Sequence, residues 1–270
     1  MIEVAPTTSA LPPRVDVLGV AVSATTIEDT LRVVAGWISR REPHYVCVSG
    51  MHGVMECQQD EELRNIHNAA GLVTPDGMPL VWLCRLKGQK STERVYGPDL
   101  MLALCERSQA RGYRHFFYGA APQVLDALTA RLQHRFPGLE IAGTYAPPYR
   151  PLDPTEDLAI MRRIKESRPD ILWVGLSTPK QERWMAEHVE RLGVPVLIGV
   201  GAAFDFHSGF KRQAPRWMQR NGLEWLFRLL QEPRRLYRRY LVNIPLFGAY
   251  LLLDALGLRR SGQQRKWNSV

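Results

Sequence analysis

Short apolar runs alternate with amphipathic stretches along most of this chain, and this alternation restricts its fold more than any other feature. The runs at residues 171–176 (ILWVGL) and 194–200 (VPVLIGV) are apolar at nearly every position. Strands of this kind have both faces buried, which is typical of a parallel sheet covered by helices on both sides. We therefore predict an α/β fold with a Rossmann-like, mostly parallel sheet over residues 14–222.

The same patterns place the individual elements. Residues 25–42 carry apolar side chains at helical spacing, and Thr25 or Thr26 can cap that helix. The predicted strands lie at residues 15–20, 45–48, 72–73, 114–118, 139–144, 171–176 and 194–200. The other predicted helices lie at residues 51–68, 78–86, 122–136, 153–167, 179–192, 215–231 and 234–242, the last two being separated at Pro233.

Positive charge is concentrated near the C-terminus. The formal net charge is +8, but residues 211–270 carry +10 and residues 1–210 carry −2. Such a region suits a polyanion, whether nucleic acid, an anionic membrane or a diphosphate. Residues 244–258 are apolar apart from Asp254 and too short to span a bilayer, so they either lie in the membrane interface or pack on the domain. We predict a flexible tail at residues 1–13 and a helical, membrane-associating appendage at residues 223–270.

The sequence lacks the motifs that are typical of several classes of protein. The first residues have neither the basic flank nor the apolar core of a signal peptide, which predicts a cytoplasmic protein. The four cysteines form no CxxC pair and are expected to be reduced and packed. Without an HxxxH pair or a GxSxG motif, we expect neither a metal-dependent mechanism nor an α/β-hydrolase.

The loops after the predicted strands are where a parallel sheet binds its ligands. Asp76 follows one strand among apolar residues, which suits a general base with a raised pKa, but spacing alone favours an Asp-Gly turn or a helix N-cap. Residues 119–122 suit a phosphate cradle, with one glycine where a dinucleotide fingerprint has three. Gln181 is predicted to face the strand ends and to bond a sugar hydroxyl or a diphosphate. Its neighbour Glu182 suits a surface acid at a helix N-terminus.

Arginines and tryptophans outside these loops are compatible with more than one class of ligand. Arg94 precedes a helix opened by Gly97-Pro98-Asp99 and can hold an anionic substrate. Trp217 and Trp225 lie among arginines, where they can stack on nucleic-acid bases, anchor at a membrane interface or pack in a core.

Seven segments, taken together, resemble one known family. They are PDGMPLVW, RVYGPDL, FFYGAAP, FPGLEIAGTY, PDILWVGLSTPKQERWM, GVGAAFDFHSG and APRWMQRNGLEWLFRLLQEPRRLYRRYL, spread over about residues 15–242. In this order they resemble the WecG/TagA/CpsF glycosyltransferases, glycosyltransferase family 26. The resemblance implies an inverting, metal-independent enzyme without a cofactor. It would move a sugar from a UDP-sugar to a polyprenyl-diphosphate-linked saccharide at the cytoplasmic face of the inner membrane.

The resemblance also implies roles for individual residues. Asp76 looks like the catalytic base, with Arg94 and Gln181 as its neighbours in the active site. Substrate contacts are expected from residues of the strand-end loops and the appendage: Asp205 to the uracil, Gly119 and Ala120 to the nucleotide, Arg228, Arg235 and Arg238 to phosphate, together with Thr74, His52, Tyr145, Lys180 and Gly201. The expected partners are the UDP-sugar, the lipid-linked acceptor and the membrane surface. A homo-oligomer is left open, and nucleic acid is not expected.

One departure leaves the donor sugar open. Teichoic-type members carry Thr-x-Asn where this chain has Val48-Ser49-Gly50. The donor sugar is therefore of the N-acetylmannosamine type, a uronic acid or a hexose, and His52 is either a ligand contact or a packed surface histidine. Two other hypotheses about the function remain. A nucleic-acid-binding protein would use the basic tail, and a nucleotide-sugar epimerase or dehydrogenase would need a fuller glycine fingerprint.

Overall fold

The structure, a computed structural model, describes residues 10–258, without the side chains of Arg235, Arg238 and Arg239. Most of the predicted tail at residues 1–13 lies outside this description. The first elements are β1 (Arg14–Val17), β2 (Val20–Ser23), α1 (Ile27–Arg40), β3 (His44–Ser49), α2 (Met51–Gln59), α3 (Glu61–Ala69), β4 (Leu72–Pro75), α4 (Met78–Leu86) and α5 (Gly97–Arg111). Strands and helices then alternate as β5 (Arg114–Gly119), α6 (Pro122–Arg135), β6 (Glu140–Tyr145), α7 (Pro154–Ser167), β7 (Ile171–Gly175), α8 (Lys180–Leu192) and β8 (Val196–Gly199). The C-terminal part holds α9 (Ala203–Ser208), α10 (Arg216–Arg220), α11 (Glu224–Gln231), α12 (Pro233–Tyr237), a π-helical turn (Arg238–Val242) and α13 (Asn243–Ala255).

Six strands form one sheet in the order β4-β3-β8-β7-β5-β6, and every neighbouring pair is parallel. This confirms the predicted Rossmann-like α/β class. Both faces of the sheet are buried, because alternate side chains of a strand point to opposite sides. In β5, Phe116 and Tyr118 join one core cluster with Met185, whereas Phe117 joins the other with Phe204. The four cysteines are buried and free, as predicted.

Three element predictions needed correction, each at a turn that the apolar pattern does not reveal. Residues 15–20 are not one strand but parts of the β1-β2 hairpin, which turns at Leu18 and Gly19 with positive φ values. Residues 51–68 divide into two helices at Asp60, whose side chain accepts the backbone N–H of Leu63 and caps α3. Residues 215–231 likewise divide into α10 and α11 near Gly222, where φ is +70°.

The apolar C-terminal segment packs on the domain with one face only. Phe247 of α13 is buried in the core, and Leu246, Tyr250 and Leu251 pack beside it, with α2 in contact. Other side chains of the segment are exposed, namely Leu252, Leu253, Leu256 and Leu258. No helix within residues 10–258 combines the length and the apolar character needed to cross a bilayer.

Candidate active site

A cleft of about 1170 Å³ lies at the carboxyl ends of the six parallel strands. Its walls come from the segments that follow the strands, among them Ser49 and Gly50 after β3, residues 175–178 after β7 and residues 147–152 after β6. Neighbouring strands lie about 4.8 Å apart, so the cleft extends across about 24 Å from β4 to β6. The predicted strand-end loops therefore meet at one edge of the sheet.

Asp76 lies in this cleft directly after β4. Its backbone N–H donates to the Ser49 carbonyl at 3.0 Å, and its Oδ1 accepts the backbone N–H of Gly97 at 3.3 Å. The helix α4 is instead capped by Gly77 without a side-chain bond, so the N-cap explanation of Asp76 is wrong. Burial raises the pKa of the Asp76 carboxyl to about 6, although Arg94 lowers it. A carboxylate with this pKa is ionised near neutral pH and can accept a proton.

Arg94 holds Asp76 rather than facing the cleft. Its Nε donates to the Asp76 carbonyl oxygen, and its Nη2 lies 2.5 Å from Oε2 of Glu224 in α11. The guanidinium also lies 4.0 Å from the centre of the Tyr96 ring, whose hydroxyl donates to Glu224 at 3.3 Å. Arg94 was predicted to hold an anionic substrate, but its anionic partner in the structure is the Glu224 carboxylate. Arg94 orients the loop that carries Asp76.

Arg228 brings positive charge to the cleft from α11. Burial alone lowers the pKa of Arg228, but nearby phenols and carboxylates, including those of Glu224 and Asp76, raise it overall. Lys180 and Lys211 add further positive charge to the wall. The side chains of Arg235 and Arg238, predicted phosphate ligands, fall outside the described part of the chain. Among the described residues, no three His, Cys, Asp or Glu side chains are grouped as a metal site.

Gln181 lines the cleft, but both ends of its carboxamide are bonded to the protein. Its Oε1 accepts the backbone N–H of Gly201 at 3.0 Å, and its Nε2 donates to Oε1 of Glu182 at 3.0 Å. The N–H of Gly201 is therefore already paired. The prediction that Glu182 is a surface acid was wrong, because this side chain is 1% exposed.

Close packing against the neighbouring strand explains why the turn after β5 contains a glycine. Gly119 has a φ of +126°, and a Cβ there would lie 2.6 Å from the Gly175 carbonyl oxygen of the neighbouring strand. Gly119 itself is not part of the cleft wall, whereas Ala120 is, with a φ of +58°. The helix α6 then starts at Pro122, so its N-terminus faces the same space and suits an anion.

The remaining predicted contacts divide into two groups. His52 and Asp205 line the cleft, with His52 Nδ1 3.5 Å from Glu56 and Asp205 3.4 Å from the Lys211 amine. Thr74 and Tyr145 do not. The Thr74 side chain is fully buried in β4, and the half-buried Tyr145 ring stacks on Tyr118 with 5.9 Å between ring centres. Neither residue lies on the cleft wall, so the structure does not bring them together with the other predicted contacts.

Sequence reasoning missed several residues of the site. Glu224 and Tyr96 complete the network around Arg94, and Ser49 and Tyr149 lie on the cleft wall. The Tyr149 side chain is 99% exposed in a segment rich in proline. Two signals were available: Glu224 is one of only three acids in residues 211–270, and Tyr149 is an aromatic residue in a proline-rich loop.

Comparisons with known proteins identify the family of this chain. The profile of the Glycosyl transferase WecG/TagA/CpsF family matches residues 15–261. A relative from Bacillus spizizenii (strain W23) is 34% identical over 190 residues, which cover 70% of this chain and 71% of the relative. One from Staphylococcus aureus (strain MW2) is 27% identical over 236 residues, covering 87% and 90%. One from Bacillus subtilis (strain 168) is 28% identical over 197 residues, covering 73% and 74%.

All three relatives carry the same name, N-acetylglucosaminyldiphosphoundecaprenol N-acetyl-beta-D-mannosaminyltransferase. The family match over residues 15–261 includes every strand of the six-stranded sheet as well as most of the basic C-terminal region. It therefore favours a transferase over the nucleic-acid-binding and dehydrogenase alternatives.

Proposed function

The chain belongs to the WecG/TagA/CpsF family of glycosyltransferases, and on that basis we propose that it moves a sugar from a UDP-sugar to a polyprenyl-diphosphate-linked saccharide. The acceptor part of this proposal rests on the relatives, whose name specifies an N-acetylglucosaminyl-diphosphoundecaprenol acceptor. The cleft, at about 1170 Å³, has room for a nucleotide sugar and an acceptor sugar together.

The proposed mechanism depends on Asp76 as the catalytic base. In the proposed reaction its carboxylate takes the proton of the acceptor hydroxyl, and the hydroxyl oxygen attacks the anomeric carbon of the donor. The bond from that carbon to the UDP oxygen breaks, and UDP leaves with the electron pair. Attack on the face opposite the leaving group inverts the anomeric centre. Water later receives the proton from Asp76.

The UDP leaving group gains negative charge as this bond breaks, and positive groups must stabilise it. Arg228 and Lys180 line the same cleft, and the N-terminus of α6 faces it. Fixed cations and helix dipoles stabilise developing charge in the way that a metal ion would. We therefore propose that transfer needs no divalent metal.

The donor sugar is proposed from the relatives and from the wall near Asp76. All three relatives are named as N-acetylmannosaminyl transferases, which makes an N-acetylmannosamine donor the first to test. Gly50, however, has no side chain, and a Cβ there would lie 3.9 Å from Oδ2 of Asp76. Because this space beside the base is open, uronic acid and hexose donors stay in the panel.

We also propose that the protein works at the cytoplasmic face of the membrane as a peripheral protein. The support is the exposed leucines of the C-terminal segment, which lie next to the basic region. Apolar side chains flanked by arginines favour an anionic bilayer surface. This location brings the cleft to an acceptor held in lipid.

The deciding experiment measures UDP release from a panel of UDP-sugars with a polyprenyl-diphosphate-linked N-acetylglucosamine acceptor, with and without EDTA. We expect one donor to be turned over at the same rate in EDTA, and the Asp76→Asn variant to lose the activity. Full activity in Asp76→Asn would refute its role as the base. Loss of activity in EDTA would refute metal independence, and failure of every donor with this acceptor would refute the substrate pair.

A further inference from the structure

Glu182 is a buried acid in the first turn of α8, next to the cleft rather than on its wall. It is 1% exposed, and its Oε1 accepts two hydrogen bonds, from the Thr178 hydroxyl at 2.8 Å and from Nε2 of Gln181 at 3.0 Å. Its other oxygen, Oε2, is buried and has no partner among the described residues. Burial of a carboxylate is costly, and the helix N-terminus and two neutral donors offset only part of that cost.

These contacts fix which way the Gln181 carboxamide points. An amide has a donor end and an acceptor end that differ little in shape, so only the hydrogen-bond partners determine its orientation. Because Glu182 accepts from the NH₂ end, the oxygen end must face the N–H of Gly201, at 3.0 Å. If the amide were reversed, its NH₂ would face that N–H and its oxygen would face the carboxylate. Both pairings are repulsive.

Gly201 opens the segment after β8 that forms one wall of the cleft, and Ala202 and Asp205 of the same segment line it. The backbone of Gly201 has a φ of +52°, which glycine adopts without strain. The bond from its N–H to Gln181 ties this segment to the start of α8. The chain of contacts from Thr178 through Glu182 and Gln181 to Gly201 thus joins the loops after β7 and β8.

We propose that Glu182 is a positioning residue for donor binding: it orients the Gln181 carboxamide, which holds the Gly201 segment in the shape that the nucleotide part of the donor contacts. This inference rests on the proposed function. Glu182 acts through Gln181 and does not touch the substrate. The alternative is that Glu182 only stabilises the N-terminus of α8, in which case its loss reduces the amount of folded protein and nothing else.

The test uses Glu182→Leu, which removes the acceptor, and Glu182→Gln, which keeps an oxygen for Thr178 and Gln181 and places its NH₂ where Oε2 now lies. Glu190→Leu, at an exposed position of the same helix, is the matched control. For Glu182→Leu we expect the KM for the donor to rise about 10- to 100-fold, with kcat within about three-fold of wild type. Glu182→Gln should restore most of the donor affinity. A kcat that falls with the folded fraction, at an unchanged KM, would overturn the proposal.

The double variant tests whether Glu182 acts through Gln181. If it does, Glu182→Leu adds nothing further in a Gln181→Leu background, because the group that it orients is already absent. If the losses in kcat/KM multiply instead, the two residues act independently and the proposal fails.

A measurement without substrate separates this inference from the proposed function. Hydrogen exchange of the Gly201 amide, followed by NMR in the free protein, should accelerate at least ten-fold in Glu182→Leu and stay near wild type in Glu182→Gln and Glu190→Leu. Unchanged exchange in Glu182→Leu would overturn the positioning role whatever the enzyme transfers. If no donor were turned over by wild type but Gly201 responded as expected, only the proposed function would fail.

Discussion

Arg94 and Glu224 lie 130 residues apart in the sequence, yet Nη2 of Arg94 stands 2.5 Å from Oε2 of Glu224. The first residue belongs to the loop between α4 and α5, and the second opens α11 in the predicted appendage. Because Arg94 also binds the Asp76 carbonyl, this ion pair connects the appendage to the backbone of the proposed base. The electrostatic environment of Asp76 therefore depends on α11 being in place.

Replacement of Glu224 by Gln should lower the pKa of Asp76. The negative charge of Glu224 raises that pKa, and its loss also frees the Arg94 charge to stabilise the Asp76 carboxylate. Both effects act in the same direction, and we expect the acidic limb of the pH–rate profile of UDP release to move down by about half a unit to one unit. Glu187→Gln removes a carboxylate of α8 that lines the cleft but is not among the charges that shift the pKa of Asp76, and it is the control that should not move the limb. A limb that stays in place or moves up would contradict this account.

The wild-type enzyme should show one acidic limb in that profile. With a pKa of about 6, Asp76 is increasingly protonated below that pH and cannot accept the acceptor proton. The rate of UDP release should then fall about ten-fold per pH unit below the limb and level off above it. Asp76→Asn should lose about 10²- to 10⁴-fold in kcat and show no limb at this pH. A wild-type limb near pH 4 would mean that burial does not raise the pKa of this carboxyl.

The same raised pKa predicts that the ionised form of Asp76 destabilises the folded protein at neutral and higher pH. Asp76 binds its proton more tightly in the folded state, with a pKa of about 6 against an ordinary value of 3.8. Its contribution to the free energy of unfolding is therefore largest at low pH, and it declines as pH rises from about 4 to about 6. Asp76→Asn removes this penalty and should raise the stability above about pH 7 by ~1–3 kcal/mol.

The check is chemical denaturation of both proteins at about pH 5 and about pH 8. The gain from Asp76→Asn should be larger at the higher pH. An equal gain at both pH values would assign it to packing rather than to charge, and a loss of stability at the higher pH would contradict the prediction.

Much of the fold could be predicted from local sequence, because burial on both sides of a parallel strand produces an apolar run such as residues 171–176. The hairpin at Leu18 and the division at Asp60 could not. Turn chemistry there interrupts an apolar pattern without changing its period. In the site, the strand-end rule placed Asp76 and Gln181 correctly on the cleft. It did not reveal that Gln181 is bonded at both ends or that Glu182 is buried, because both facts depend on Thr178 and Gly201 in separate loops.

Arg228 offers a test of phosphate binding on the described part of the appendage. It lines the cleft, so Arg228→Gln should weaken binding of the UDP diphosphate and raise the KM for the donor about 10- to 100-fold. Arg220→Gln, at an exposed position of α10, removes the same charge away from the cleft and should leave the KM near wild type. Calorimetric titration with UDP measures the same loss without turnover. Equal effects of the two variants would show that the net charge of the region matters rather than the position of Arg228.

Membrane attachment requires a test that leaves the core intact. Deletion of residues 243–270 would also remove Phe247, which is 5% exposed in the core, and a core phenylalanine contributes about 3–5 kcal/mol to stability. Serine at the four exposed leucines, Leu252, Leu253, Leu256 and Leu258, changes the outer face alone. Each leucine that enters a bilayer contributes up to about 1.5–3 kcal/mol, so the four-fold variant should lose at least ten-fold in binding to vesicles of phosphatidylcholine and phosphatidylglycerol.

High salt separates the two contributions to that binding, because it screens the basic residues but not apolar burial. Wild type should keep part of its co-sedimentation with vesicles in high salt, and the serine variant should lose all of it. If both proteins sediment equally in low and high salt, the leucine face does not contact lipid. A loss of co-sedimentation that occurs in high salt and is equal in the two proteins would assign the attachment to charge alone.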